Sequence, residues 1–215
     1  MDFSSVWQYK LLLWQGFIVT AEISLMAIIT GTIIGLLAGL TQRSRFLLIK
    51  APVKVYIEIF RGSPLLMQLF FFYFGLSYLN VPITAFQAVF VVFALNSGAF
   101  IAEIVRSGLE AVSKGQYEAA ESLGLSYGTM MRKVILPQAM KVSLPPLVGF
   151  YIGMIKDTSI ASIIGYVELM KQGQAIANMN SASIFQVYLA VAAIYFIICY
   201  PLSSFVNWME RRVPA

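Results

Sequence analysis

The sequence predicts an all-α integral membrane protein with five transmembrane helices and one short helix outside the bilayer between the third and fourth. Two observations carry this. Of the 215 residues 59% are hydrophobic and 12% charged, with a mean hydropathy of +0.79, whereas soluble domains carry about 25% charged residues. The apolar residues also gather into windows of the roughly 20 residues that a helix needs to cross a bilayer. Nothing long remains for a soluble domain, so residues 1–215 read as a single transmembrane domain.

The first span runs from about Leu11 to Leu40. It is too long for a secretory signal and lacks a small-residue cleavage site, so it reads as mature structure. Within it GTIIGLLAG sets Gly31, Gly35 and Gly39 on one helical face, which permits close helix approach. A second subunit and another helix of the same chain fit that face equally well. The second span covers about Val53 to Leu79, and Gly62, Ser63 and Pro64 predict a kink in it. The third covers about Ala85 to Val105 and the fifth about Ile184 to Val206. The fourth, about Leu144 to Val167, opens on Pro145 and Pro146, which predict a broken helix whose loosened backbone helps to bind a ligand.

Basic residues give the orientation, because cytoplasmic segments carry the Lys/Arg excess. Arg43, Arg45, Lys50 and Lys54 lie between spans one and two, Arg106, Lys114, Arg132 and Lys133 between three and four, and Arg211 and Arg212 after five. Lys10 and Lys171 fall on the other side. The N-terminus is therefore expected outside and the C-terminus in the cytoplasm, and the pI near 9.3 is explained without a nucleic-acid partner. With no His and a single Cys199 in an apolar span, neither a metal site nor a disulfide framework is expected. No G-x-x-x-x-G-K-[ST] occurs, so the chain has no P-loop of its own for ATP.

The longest polar interruption is GQYEAAESLGLSYGTMMRKVILPQA, Gly115 to Ala139. Good helix formers predict a cytoplasmic helix over about 116–123. Gly124 stands where a left-handed residue would end it, Ser126 can cap a second helix, and Pro137 would kink that one. Tyr117, Ala120 and Leu123 or Leu125 give the short helix an apolar face outside the lipid. A groove on another protein is the favoured resting place. An interfacial helix is the plainer alternative, but Glu118 and Glu121 would be repelled by an anionic leaflet.

Glu118-Ala119-Ala120, then Gly124, then Ile135-Leu136-Pro137 resemble the EAA signature of bacterial ABC-importer membrane subunits. EIFRGSPLLMQLFFF (Glu58 to Phe72) and KDTSIASIIGYVEL (Lys156 to Leu169) are similar to the polar-amino-acid permeases, the group of histidine, glutamine and arginine importers, and closest to arginine-importer permease subunits. The resemblance covers essentially the whole chain. It implies the type I ABC importer transmembrane-domain fold, with Glu118, Ala119, Ala120 and Gly124 forming a coupling helix that inserts into an ATPase cleft. It also implies a non-catalytic chain of the bacterial cell membrane that binds no cofactor itself. Two ATPase subunits would bind ATP and Mg, beside a second, identical permease subunit and an extracytoplasmic amino-acid-binding protein. Five spans cannot divide into two equal inverted repeats, which agrees with a pathway completed by a second subunit.

Charges inside a membrane are costly and mark function by default. Glu58 with Arg61 and Glu103 with Arg106 are each three apart and can neutralise each other on one helix. Asn96, Phe100, Glu103 and Ser107 follow at spacings of four, three and four, a polar stripe suited to a cavity wall or to helix–helix hydrogen bonds. Asp157 is the strongest candidate. Lys156 points about 100° away from it around the helix, and Thr158, Ser159 and Ser162 add hydroxyls. A buried Asp tied to another helix is the alternative. The expected substrate site is Asp157, Glu103, Asn96, Thr158 and Ser162, two carboxylates for a cationic amino acid such as arginine. Glutamine or another polar amino acid, and an ion-coupled carrier or channel without an ATPase, are the competing readings.

Overall fold

The computed structural model describes residues 3–42, 46–179 and 181–211; Arg43, Arg45 and Arg212, used above for orientation, lie outside the described residues. No strand occurs among the described residues. A short α1 (Ser4–Gln8) leads into α2 (Lys10–Thr41), followed by α3 (Leu47–Gly62), α4 (Leu65–Phe70) and α5 (Leu76–Tyr78). Then come α6 (Ala85–Glu110), α7 (Lys114–Ser122), α8 (Tyr127–Met130), α9 (Leu136–Asp157), α10 (Leu169–Met179) and α11 (Ile184–Glu210). Four of the resulting helices, 10–41, 85–110, 127–164 and 181–210, are long and apolar enough to cross a membrane, with α3 to α5 forming a fifth, broken span.

The centre of the bundle is the α2–α6 pair. Gly31 meets Ser97 and Gly98, Gly35 meets Ile101, and Gly39 meets Ala102 and Val105. Numbers rise together on both helices, so the pair is parallel. A Cβ at Gly35 would stand 2.5 Å from the Cβ of Ile101 and one at Gly39 2.9 Å from that of Val105, so only glycine allows this approach. The glycine face is therefore used within the chain. α9 runs antiparallel to α6: Phe150 stacks on Phe100 at 5.4 Å, and the Ser143 hydroxyl donates to the Ile104 carbonyl at 3.4 Å.

Two expected spans differ from the observed elements. The second is not one kinked helix but two pieces bent by 108° between Gly62 and Leu65. Pro64 forces Ser63 into an extended conformation (φ −123°, ψ 146°), because the proline ring excludes the helical region for its predecessor. The carbonyls freed by the break are met by side chains: the buried Gln68 donates to Phe60 O at 2.8 Å and Ser63 O at 3.0 Å. The fourth span begins at Tyr127 rather than near Leu144. A wider π-helical turn over Met131–Ile135 precedes Pro137 and absorbs the strain expected there. α9 then continues through Pro145 and Pro146. The backbone changes only after Asp157, tightening into a 3-10 helix over Thr158–Ile164 that ends at Gly165 (φ +85°).

Candidate functional site

Asp157 closes α9 at the start of this tighter turn. It is half-buried and has neither an ion pair nor a hydrogen bond among the described residues. Gly149 and Gly153 lie two turns and one turn earlier on the same face, and a Cβ at either would have nothing within 4 Å. The three make a smooth strip ending in a carboxylate and bounded by open space. Exposing an unpaired carboxylate to acyl chains is costly, which favours water or protein in that space. The nearby hydroxyls are turned inward. Thr158 donates to Ile155 O and Ser162 to Ser159 O, each at 2.7 Å, and both residues are buried.

The sequence reading treated Lys156 only as a poor neighbour for Asp157, and it is a second unpaired charge. It is exposed, has no carboxylate within 4.0 Å among the described residues, and lines a cavity of about 610 Å3 with Ser159, Tyr188, Tyr195 and Tyr200. Cys199, in the middle of α11, lines the same cavity, so Lys156 lies level with the middle of that helix. The hydroxyls of Tyr188 and Tyr200 have no partner among the described residues. Adjacent residues on a helix diverge by about 100°, so the end of α9 presents a carboxylate on one face and an ammonium on the next.

The structure does not bring the five expected site residues together. Glu103 accepts hydrogen bonds from Nε (3.0 Å) and Nη2 of Arg106, and Arg61 approaches it at 3.5 Å. Arg106 also reaches Glu110 at 2.6 Å, and Arg61 lies 5.7 Å from the centre of the Phe100 ring. Arg61 thus pairs across helices with Glu103, not within α3 with Glu58. α3 packs on α6 through Tyr56, Ile57 and Phe60 beside Ala99 and Ala102, and this brings Arg61 to Glu103. Counting from the Phe100–Phe150 stack, Glu103 lies three residues to one side and Asp157 seven to the other. Ten residues at 1.5 Å separate their levels by roughly 15 Å. Asn96 is buried and spent on the broken span, donating to Gln68 Oε1 at 3.1 Å and Phe60 O at 3.3 Å. These are the helix–helix hydrogen bonds named above as the alternative for Asn96.

Glu168 went unremarked in the sequence and is fully buried. Its carboxylate accepts the N–H groups of Met170 (2.9 Å) and Lys171 (2.8 Å), which opens α10. It also accepts the hydroxyls of Tyr195 (3.0 Å) and Thr20 (3.5 Å), tying α2, α10 and α11 together. The one local signal is an acidic residue directly ahead of the helical run LMKQGQ.

At the opposite end of α9 stands α7. Gly124 is left-handed (φ +69°), with Gly124 N–H on Glu121 O and Leu125 N–H on Ala120 O, the paired bonds of a glycine-terminated helix. Ser126 occupies the next N-cap position, but its hydroxyl meets Thr129 rather than a backbone N–H. The apolar face of α7 does not wait for another protein. Ala120 is buried, with Tyr117 and Leu125 packed around it, against Leu109, Met130, Met131, Ile135 and Ala139 of the same chain. What remains outward is Glu118, Ala119, Glu121, Gly124 and Leu123, the last 78% exposed.

Comparison with known proteins matches this architecture. The family described as binding-protein-dependent transport system inner membrane component matches residues 31–214. The probable amino-acid ABC transporter permease YckA of Bacillus subtilis is 40% identical over 198 residues, 92% of this chain and 87% of its own. The glutamine transport system permease GlnP of Escherichia coli K12 is 39% identical over 214 residues, 99% and 97% of the two chains. Among solved structures, an amino acid ABC transporter with histidines is 40% identical and superposes with a TM-score of 0.91 over 99% of both chains. An all-helical bundle with charges deep inside, an EAA-type helix beyond it and these relatives leave one conclusion: the chain belongs to the binding-protein-dependent transport system inner membrane components, as a permease subunit of an amino-acid ABC importer of the bacterial inner membrane.

Proposed function

We propose that this permease carries polar amino acids past the Gly149–Gly153–Asp157 face of α9, basic ones such as arginine first. The observation that carries the proposal is Asp157, a half-buried carboxylate at the end of α9 without a partner among the described residues. A guanidinium or ammonium supplies the missing counter-charge through a charge-assisted hydrogen bond. The solved relative with histidines is consistent with a basic side chain in transit. Glu103 is no longer needed for this reading, since its charge is met by Arg61 and Arg106. Neutral polar amino acids such as glutamine are the second reading, favoured by Lys156, which can take a carboxylate while Asp157 takes the α-ammonium. The Escherichia coli relative bears a glutamine name.

In the same proposal a second, identical permease completes the pathway. Two ATPase subunits, which bind ATP and Mg, drive alternating access through α7, and an extracytoplasmic binding protein delivers the amino acid. The N-terminus lies outside and the α7 end in the cytoplasm, following the basic residues. The test is ATP-driven uptake of labelled arginine into vesicles carrying this chain with its ATPase subunits, in competition with lysine, histidine and glutamine. Basic amino acids should compete best. Glutamine competing better than lysine and histidine together would transfer the assignment to the second reading.

A further inference from the structure

Near the α7 end, the last turn of α2, α3 and α6 enclose a cavity of about 320 Å3 lined mainly by charged side chains. Its electrostatics are lopsided. Arg61 and Arg106 are already engaged with Glu103, and Arg106 also with Glu110. Lys50 and Lys54, which share this cavity, have no carboxylate within 4.0 Å among the described residues. Glu58 is the one carboxylate of the lining outside the ion-pair network. A further donor points the same way: Gln42 Nε2 is buried and has no acceptor among the described residues. A buried donor left unmet is costly, so two free ammonium groups and an orphaned amide call for an anion with several acceptor oxygens.

The surroundings say where that anion comes from. On α3, Leu48 (92% exposed), Val55 (57%) and Ile59 (58%) fall within about 40° of one another at 100° per residue, whereas Lys50, Lys54 and Arg61 lie on roughly the opposite side. The helix therefore offers one face to acyl chains and the other to the cavity, at the end where the Lys/Arg residues concentrate. Basic pockets between helices at that level suit lipid headgroups. We propose that this cavity is a binding site for the phosphate of an anionic phospholipid, of the phosphatidylglycerol or cardiolipin class, drawn from the leaflet on the α7 side. Lys50 and Lys54 hold the phosphate charge, Gln42 donates to a phosphate oxygen, and the exposed face of α3 receives the chains. The site is separate from Asp157 and does not depend on which amino acid is carried.

The test uses the full chain assembled with its ATPase subunits in discs of phosphatidylcholine doped with phosphatidylglycerol, followed by detergent extraction and native mass spectrometry. The wild-type complex should retain phosphatidylglycerol in preference to phosphatidylcholine. The Lys50→Gln/Lys54→Gln variant should lose most of that retention, while Lys133→Gln, a basic residue at the same end outside the cavity, should keep it. Gln42→Met removes the donor without changing charge or backbone. It should weaken retention several-fold and keeps the proposal testable if the double variant fails to assemble. Equal retention in wild type and in the cavity variants would overturn the proposal, as would equal retention of both lipids. Displacement of the lipid by inorganic phosphate alone would assign the site to a soluble anion and overturn the lipid source.

Discussion

At the residue scale, removing the charge from Asp157 and from Glu103 has different expected consequences. Asp157 has no partner to abandon among the described residues, so Asp157→Asn should leave assembly intact and weaken a basic amino acid by the value of one charge-assisted bond, about 1.5–3 kcal/mol, or roughly ten- to a hundredfold in affinity. Glu103→Gln strands Arg61 and Arg106 with one carboxylate fewer between them, and should lower the melting temperature of the complex while leaving affinity close to wild type. Uptake kinetics and thermal unfolding of both variants check this; an affinity loss at Glu103→Gln as large as at Asp157→Asn would contradict it. Asp157 was legible because a lone carboxylate in an apolar run is conspicuous by itself. The Glu103–Arg106 pair was legible from its spacing, but Arg61 was assigned to Glu58, since a cross-helix contact depends on how α3 packs against α6. Lys156 was passed over as a neighbour, and Glu168 because the two hydroxyls that bury it with α2 and α11, from Thr20 and Tyr195, are distant in the sequence.

At the element scale, α7 divides cleanly into what local sequence decides and what tertiary packing decides. Its length and its left-handed stop at Gly124 follow from helix formers and one glycine. The burial of Ala120 and Tyr117 does not, because the surface that receives them is made by Met130, Met131 and Ile135 on the far side of the turn. The same holds for the broken span: Pro64 announces a disturbance, but its size depends on Gln68 and Asn96 meeting the loosened carbonyls. Gly124→Val places a β-branched residue at φ +69°, a conformation that costs an L-residue about 1–2 kcal/mol. The outward residues Glu118, Ala119 and Leu123 would then be re-aimed. ATP-driven uptake should fall at least tenfold while membrane insertion and substrate affinity persist; full uptake by Gly124→Val would show that the outward aim of α7 does not matter for coupling.

At the scale of the whole molecule, contacts within the chain account for the pairing of α2 with α6 but leave one face of α9 open. The number and order of the spans were readable from hydropathy alone, and the glycine face of α2, open in the sequence between a second subunit and the chain's own α6, closes on α6. The face of α9 with Gly149, Gly153 and Asp157 borders open space, while Lys156 on the adjacent face lines the cavity shared with α11. A charge facing lipid is costly, which favours water or protein around both. The chain has a single cysteine, Cys199, which is buried, and this makes the route open to chemical mapping in a Cys199→Ser background. The most direct measurement is the rate at which a charged, water-soluble thiol reagent modifies Gly153→Cys and Met154→Cys in the assembled transporter. Gly153 borders open space whereas Met154 is 1% exposed. Gly153→Cys should react at least tenfold faster than Met154→Cys and be protected by the transported amino acid. Equal rates, or a Gly153→Cys that the amino acid leaves unprotected, would contradict the placement of the pathway along this face of α9.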